Sequence, residues 1–272
     1  MSVLTRSNAR HVRRAAAFTI IAAPALYFAP IPTGILLACG VLDVSRHRNI
    51  TYQLVEEYFT GKGLLTWLLS PINLLADLLS RKPRGAVPFA ELPAECQREI
   101  ETCVAAFVGE RDAITEAIRP QMENGRRAML AFRWFGATMP TPISVPAFEQ
   151  PFRYVKTIAV STFRGGEQTS WHFGPQRLTY RVLRNLEPIN SPDVYIAVDD
   201  RVHLWSAEPL LIFDDTMFHK SVNGVDTLRY CLFVDIIRPN RFHPAFEVAV
   251  KGMSLLAGSF RAMFYKNWSF VR

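Results

Sequence analysis

Two histidines of this chain are each followed by an arginine, nine residues on in HFGPQRLTYR (172–181) and ten residues on in HKSVNGVDTLR (219–229). The pairs are His172 with Arg181 and His219 with Arg229. Neutral imidazole is a good ligand for iron, and guanidinium is a natural fork for a carboxylate. Together they point to an iron site that also holds a dicarboxylate, the equipment of oxygen chemistry with 2-oxoglutarate. A lone histidine is more often a satisfied core or surface residue; the basic residue that follows each sets these two apart. His203 lies on a strand whose alternation leaves its direction open, and it stands outside the expected site with His11, His47 and His243. Asp214 and Asp215 are candidates for a third ligand, or for shaping the turn and surroundings of His219.

The elements that must position these residues read as strands. Residues 154–162 alternate, and DVYIAV and RVHLW are separated by Asp199-Asp200, a tight-turn signal. LLIFDD, TMFHKSV and LRYCLFVDII follow, with Asn223-Gly224 as a hairpin cue before the last. Short strands joined by tight turns argue an antiparallel sandwich or barrel. If His219 and Arg229 sit on paired strands, they share a face only at an even offset. A three-residue loop, Asn223 to Val225, would pair them directly. Upstream, Pro93 suits a helix start, and Cys96, Ile100, Cys103 and Phe107 recur on one helical face, a support for a sheet. Residues 137–151 hold four prolines and read as a loop.

These motifs resemble the aspartyl/asparaginyl β-hydroxylase family, which includes bacterial lipid A and ornithine-lipid hydroxylases. The resemblance rests on His172 with Gly174-Pro175 and Arg181, on His219 with Arg229, and on Ser161 in the strand before the first histidine. It covers roughly residues 150–240, and more weakly SPINLLADLLS (70–80). It implies an α+β fold with a double-stranded β-helix, a cupin-like jelly roll. It also implies an Fe(II)/2-oxoglutarate dioxygenase that consumes O2. His172 and His219 would bind Fe(II), and Arg229, Arg181 and Ser161 would grip 2-oxoglutarate. Many such enzymes place Asp or Glu two residues after the first histidine; this chain has Gly174, as the β-hydroxylase branch also lacks that carboxylate. Where relatives often place a further histidine near the cosubstrate this chain has Leu183, which leaves Arg184 or a water as substitutes.

Composition adds a membrane. The formal charge is +7, from 31 basic and 24 acidic residues, and many basic residues flank apolar stretches rather than forming a polar stripe. That favours an anionic membrane surface over nucleic acid, and no nucleic-acid partner is expected. Residues 15–42 carry no charge and are long enough for the roughly 20 residues of a membrane crossing. A single span with the arginine-rich N-terminus inside would put the catalytic domain outside. A re-entrant or interfacial hairpin bent at Pro30-Ile31-Pro32 keeps it on the cytosolic side, where 2-oxoglutarate is supplied. Residues 63–80 either contact the membrane or pack on the core. Cys39, Cys96, Cys103 and Cys231 have no metal or disulfide spacing and read as buried, reduced thiols.

The expected organisation is a membrane anchor or hairpin at 1–50, a leucine-rich interfacial helix and hinge at 51–88, a dioxygenase domain at 89–246, and an amphipathic basic helix at 247–272. The leading expectation is hydroxylation of an acyl or headgroup carbon of a membrane lipid. The alternatives are β-hydroxylation of Asp or Asn in a peptide or carrier-bound amino acid, halogenation with chloride at the position Gly174 leaves open, and a non-catalytic cupin-like binding protein.

Overall fold

The computed structural model describes residues 2–80, 86–264 and 268–271. Helices come first: α1 (Ser2–Phe28), α2 (Pro30–Val44), α3 (Tyr52–Thr60), α4 (Leu64–Leu68) and α5 (Ser70–Leu79). A 3-10 turn (Phe89–Glu91) leads to α6 (Ala94–Gly109) and α7 (Arg111–Asn124). Then follow β1 (Arg127–Trp134), β2 (Ala137–Thr138), the short α8 (Pro146–Glu149), β3 (Val155–Phe163) and β4 (Glu167–Gln168). The remaining strands are β5 (Thr179–Asn185), β6 (Val194–Val198), β7 (Arg201–Leu204), β8 (Leu210–Phe213), β9 (His219–Asn223) and β10 (Arg229–Ile237). The chain closes with α9 (His243–Phe264) and β11 (Ser269–Phe270).

The strands form two sheets, so the fold is α+β with a cupin-like β-sandwich. One sheet runs β11-β1-β3-β10-β5-β8 with β2 beside β1; the other runs β4-β9-β6-β7. The long strands β1, β3, β5 and β10 of the large sheet have apolar residues on both faces, as a layer covered on both sides must. Val160, Val182, Leu232 and Val234 turn toward α6 and α7, against Ile100, Phe107 and Ile118. The alternate residues Met129, Ala159, Leu183 and Phe233 turn toward the small sheet. The expected α6 stripe of Cys96, Ile100, Cys103 and Phe107 is buried in this core. In β1 the register shifts between Ala131 and Arg133. That bulge changes the parity, so Met129 and Trp134 share the inner face.

The Asp199-Asp200 turn forms as expected: Val198 pairs with Arg201, and Asp199 takes the left-handed conformation at φ 54°. The Asn223-Gly224 hairpin does not form. Strand β9 pairs with β6 and β4, whereas β10 pairs with β3 and β5. Residues 224–228 are therefore a crossover between sheets. The Asn223 amide donates to Arg164 O at 3.0 Å and Thr227 O at 2.9 Å, and Gly224 N–H donates to Asp193 O at 3.0 Å. Asn223 thus pins the crossover instead of making a tight turn. The proline-rich loop at 137–151 also differs slightly from expectation, because β2 and α8 lie within it.

At the N-terminus, α1 runs through Pro24 and breaks at Ala29, one residue before the expected bend. Pro30 starts α2, where its missing N–H costs nothing. The two helices fold back on each other. Phe18 lies 5.6 Å ring to ring from Trp67, and a Cβ on Gly40 would stand 2.5 Å from the same indole. Among the described residues, no helix is long and apolar enough to cross a membrane. The far end is also not one helix: α9 is described over His243–Phe264, and Ser269–Phe270 pairs parallel to β1. The side chains of Arg261, Lys266 and Arg272, and most of the expected hinge at 81–88, lie outside the described residues. The four cysteines are free; Cys39 is half-buried and the other three are buried.

Candidate active site

The histidines meet across a single antiparallel bridge. His172 N–H donates to His219 O and His219 N–H to His172 O, both at 3.0 Å, and the ring centroids are 4.1 Å apart. Each ring is aimed by a carbonyl two residues upstream: Nδ1 of His172 lies 2.8 Å from Ser170 O, and Nδ1 of His219 lies 2.7 Å from Met217 O. A carbonyl only accepts, so Nδ1 carries the proton in both rings and Nε2 keeps its lone pair. Burial drives His172 down to about 3, helped by His219, and drives His219 down to about 4. Both are neutral near pH 7, the form a metal needs.

Both rings line a cavity of about 160 Å³ between the sheets. Period-two alternation along β10 brings Arg229, Cys231, Phe233 and Asp235 into it. Ser161 from β3 and Arg181 and Leu183 from β5 arrive by the same rule. All five expected site residues, Ser161, His172, Arg181, His219 and Arg229, therefore line one cavity. Arg184 does not: its guanidinium donates to Asn185 O at 2.6 Å, and the cavity face at that point is Leu183.

The two arginines differ. Arg229 is buried and meets only neutral partners, Ser221 Oγ at 2.7 Å and Val222 O at 3.3 Å, and its Nε has none. A buried guanidinium without a carboxylate is costly and suits an anionic ligand. Ser161 Oγ donates to Cys231 O at a long 3.3 Å. Arg181 is already engaged, by Asp215 and by Asp235 at 3.0 Å, and its guanidinium lies 3.9 Å over the Phe233 ring. Burial pushes both carboxyls above the usual range, with Arg181 pulling the other way.

Asp215 explains Gly174. A Cβ at residue 174 would overlap the Asp215 carboxylate, whose Oδ1 lies 3.3 Å from His219 Nε2. The space beside Gly174 is thus filled by a carboxylate from a different segment. Asp214 does other work, in a buried cluster with Asp43 and Asp77 that faces Arg46, Arg177 and Arg238. Arg46 reaches Asp214 at 2.7 Å, Arg177 reaches Asp77 at 3.0 Å and also Asp43, and Arg238 reaches Asp77 at 2.8 Å. Sequence reasoning did not single out this cluster. Its signal was there: Asp43 and Asp77 are lone charges in otherwise apolar runs, and a charge buried with such neighbours needs a partner.

The residues fit an Fe(II) centre held by two histidines: both Nε2 atoms are unprotonated, and that of His219 lies 3.3 Å from the Asp215 carboxylate. Among the described residues no group of three metal-binding side chains gathers, so the protein would supply the two imidazoles.

A β-sandwich with two neutral histidines and a buried arginine in its cavity is the layout of an iron oxygenase. Residues 137–239 match the family described as Aspartyl/Asparaginyl beta-hydroxylase, a family of Fe(II)/2-oxoglutarate-dependent hydroxylases. The ornithine lipid ester-linked acyl 2-hydroxylase of Rhizobium tropici is 34% identical over 84 residues, 30% of this chain and 30% of that protein. The match thus spans under a third of that relative's length. Among solved structures, a cupin superfamily protein from Desulfitobacterium hafniense shares 13% identity, with 45% of this chain and 88% of that chain covered at a TM-score of 0.27. A 2OG-Fe(II) oxygenase family oxidoreductase from Burkholderia pseudomallei shares 13% identity, with 35% and 50% covered at a TM-score of 0.27. Likeness at that level decides nothing; the fold stands on the strand order above.

Proposed function

We propose that the protein is a membrane-associated Fe(II)/2-oxoglutarate-dependent hydroxylase acting on an acyl or headgroup carbon of a membrane lipid. Bound iron would supply the activation of O2 at the cost of 2-oxoglutarate. His172 and His219 hold it, and Arg181 keeps Asp215 beside His219. Arg229 binds the far carboxylate of the cosubstrate in a charge-assisted fork, and Ser161 turns its hydroxyl to the same group.

One observation carries the lipid reading. Among the described residues lining the cavity, Arg181 and Arg229 are the only cations; the first is paired with carboxylates and the second suits the cosubstrate. An aspartyl substrate would bring a carboxylate with no cation left to meet it. The rest of the wall, including Met129, Trp134, Phe163, Ile196 and Phe213, suits a hydrocarbon chain. Asp215 at Gly174 likewise supports hydroxylation over halogenation, because it occupies the space a chloride was expected to take. The R. tropici relative, named for acyl hydroxylation of a lipid, points the same way.

The membrane supplies the substrate in this reading. Leu26, Tyr27, Phe28, Ile31 and Ile35 are exposed about the hairpin tip, and Leu68, Ile72, Leu75 and Leu78 along α4 and α5. Apolar surface on that scale marks a contact, and the basic excess suits an anionic bilayer facing the cytoplasm. Mass spectrometry of lipid extracts from cells with and without the protein tests the proposal. A lipid gaining one oxygen is expected, lost in His172→Ala and His219→Ala. Identical lipid extracts, with turnover on soluble Asp peptides, would overturn it.

A further inference from the structure

The bridge that brings His172 and His219 together is flanked by Thr169 N–H donating to Ser221 O at 2.9 Å and by Gly174 N–H donating to Asp215 O at 2.7 Å. These bonds join the two segments to each other, but peptide groups that point away from the partner segment, Phe218 N–H among them, must be met from elsewhere. The N-terminal helices hold them on both sides.

On the His172 side, Thr66 Oγ donates to Gly174 O at 2.9 Å. Asn73 donates to Pro175 O at 3.3 Å and accepts Arg177 N–H at 2.9 Å. On the His219 side the support is His47, in the turn after α2 and buried. Its Nδ1 lies 3.1 Å from Val44 O, so Nδ1 carries the proton and Nε2 accepts Phe218 N–H at 3.2 Å. Phe218 directly precedes the metal-binding His219. The same imidazole stands edge-on to Phe173, 5.9 Å between centroids, and Phe173 directly follows His172. Phe173 and Phe218 stack at 4.7 Å. His47 therefore touches both neighbours of the ligand pair. Burial keeps it a neutral acceptor by lowering its pKa.

We infer that His47 is a positioning residue for the metal centre: by accepting Phe218 N–H it fixes the backbone register in which His172 and His219 present their Nε2 atoms together. The inference rests on the two-histidine metal reading above. It assigns the N-terminal helices a part in the site besides membrane contact.

Full-length, metal-free protein titrated with Co(II) alone, followed by the visible absorption of the bound ion, tests it. The deciding variants are His47→Gln and His47→Asn. A glutamine amide oxygen reaches the place of Nε2 and can accept Phe218 N–H. The shorter asparagine reaches only toward Val44 O and leaves Phe218 N–H unmet. Loss of an outer hydrogen bond to a metal ligand typically weakens binding about 10- to 100-fold. His47→Asn should show a loss of that size, and His47→Gln should recover most of it. Both polar variants keep the site hydrated and foldable, and far-UV circular dichroism verifies it. Should His47→Asn fail to fold, Asn73→Asp, which keeps the acceptor for Arg177 N–H and loses the donor to Pro175 O, provides the same comparison on the other segment. Equal Co(II) affinity in the wild type and in the variant that has lost its hydrogen bond would overturn the inference alone. Failure of the wild type to bind Co(II) would instead overturn the two-histidine reading.

Discussion

Arg229 and Ser221 join the two sheets across the cavity: the guanidinium leaves β10 of the large sheet and meets the Ser221 hydroxyl on β9 of the small one at 2.7 Å. His219 lies two residues before Ser221 on the same face of β9. The buried arginine and His219 thus share one space from opposite walls, without the hairpin that their spacing suggested.

In the proposed function Arg229 is the carboxylate receptor. Arg229→Gln keeps a hydrogen-bonding group and removes the charge. Charged hydrogen bonds contribute about 1.5–3 kcal/mol, so the 2-oxoglutarate requirement should rise roughly 10- to 100-fold. Steady-state succinate formation against 2-oxoglutarate concentration measures it. The ligand should also raise the melting temperature of the wild type far more than that of the variant. An unchanged response to 2-oxoglutarate would remove Arg229 from the site.

Acid should attack the cluster that ties the N-terminal helices to the sandwich. Burial works against the Asp214 charge, but Arg46, Arg177 and Arg238 prevail and hold its pKa below the ordinary 3.8. A depressed carboxylate contributes stability above its unfolded pKa and loses it as pH falls below that value. The slope is about 1.4 kcal/mol per pH unit for one group. Asp215 and Asp235, pushed up by burial, act the opposite way, and only above the ordinary range. Asp214→Asn should cost about 3–5 kcal/mol at pH 7, because it leaves guanidiniums buried without their partner. Its stability should then fall less steeply than the wild type's below pH 3.8. Urea unfolding at several pH values reads both effects, and parallel acid limbs would contradict the assignment.

The parts legible in the sequence were those fixed by local periodicity. Alternation and turn cues gave β3, β6, β7 and β10, whereas β5 was not read as a strand, and Ser161 and Arg181 came from the family resemblance. The α6 stripe was legible for the same reason. Long-range choices were not. Asn223-Gly224 has the composition of a turn, but β10 gains more by pairing with two long apolar strands, and Asn223 spends its amide on the crossover. The pairing of Asp215 with Gly174, and the contact of His47 with Phe218, join segments far apart in the chain and leave no periodic trace. Only the oddity of single charges in apolar runs, at Asp43 and Asp77, hinted that something lay opposite them.

The fold of the N-terminal hairpin has a consequence for topology. Its first arm is tied to α3: His11 lies 2.6 Å from Glu56, and Arg14 donates to Glu57 at 2.9 Å. The tip at Leu26–Ile31 is the part free to enter a bilayer. Reporters fused before residue 1 and after residue 272 should therefore both read the cytosolic side. Flotation with anionic vesicles should weaken when Phe28 and Ile31 become serine, because roughly 1.5–3 kcal/mol of burial is lost per large side chain. A C-terminal reporter on the far side would refute the hairpin and require another supply of 2-oxoglutarate.

Gly174 offers the sharpest steric test. A Cβ there would overlap the Asp215 carboxylate and stand 2.9 Å from the Asp215 carbonyl oxygen. The Asp215 side chain is held by Arg181, and its backbone O accepts Gly174 N–H at 2.7 Å, so neither can withdraw freely. Gly174→Ala should therefore push Asp215 away from His219, cost about 1–3 kcal/mol of stability and weaken Co(II) binding. Gly174→Asp, which restores the carboxylate in sequence, should do worse, because it places a second carboxyl on the first. Gly109 at the end of α6 has no atom within 4 Å of an added Cβ, so Gly109→Ala serves as the control. It should be neutral or stabilise by about 0.4–1 kcal/mol through the unfolded chain. If Gly174→Ala matched that control in both stability and metal affinity, Asp215 would not be confined where the structure places it.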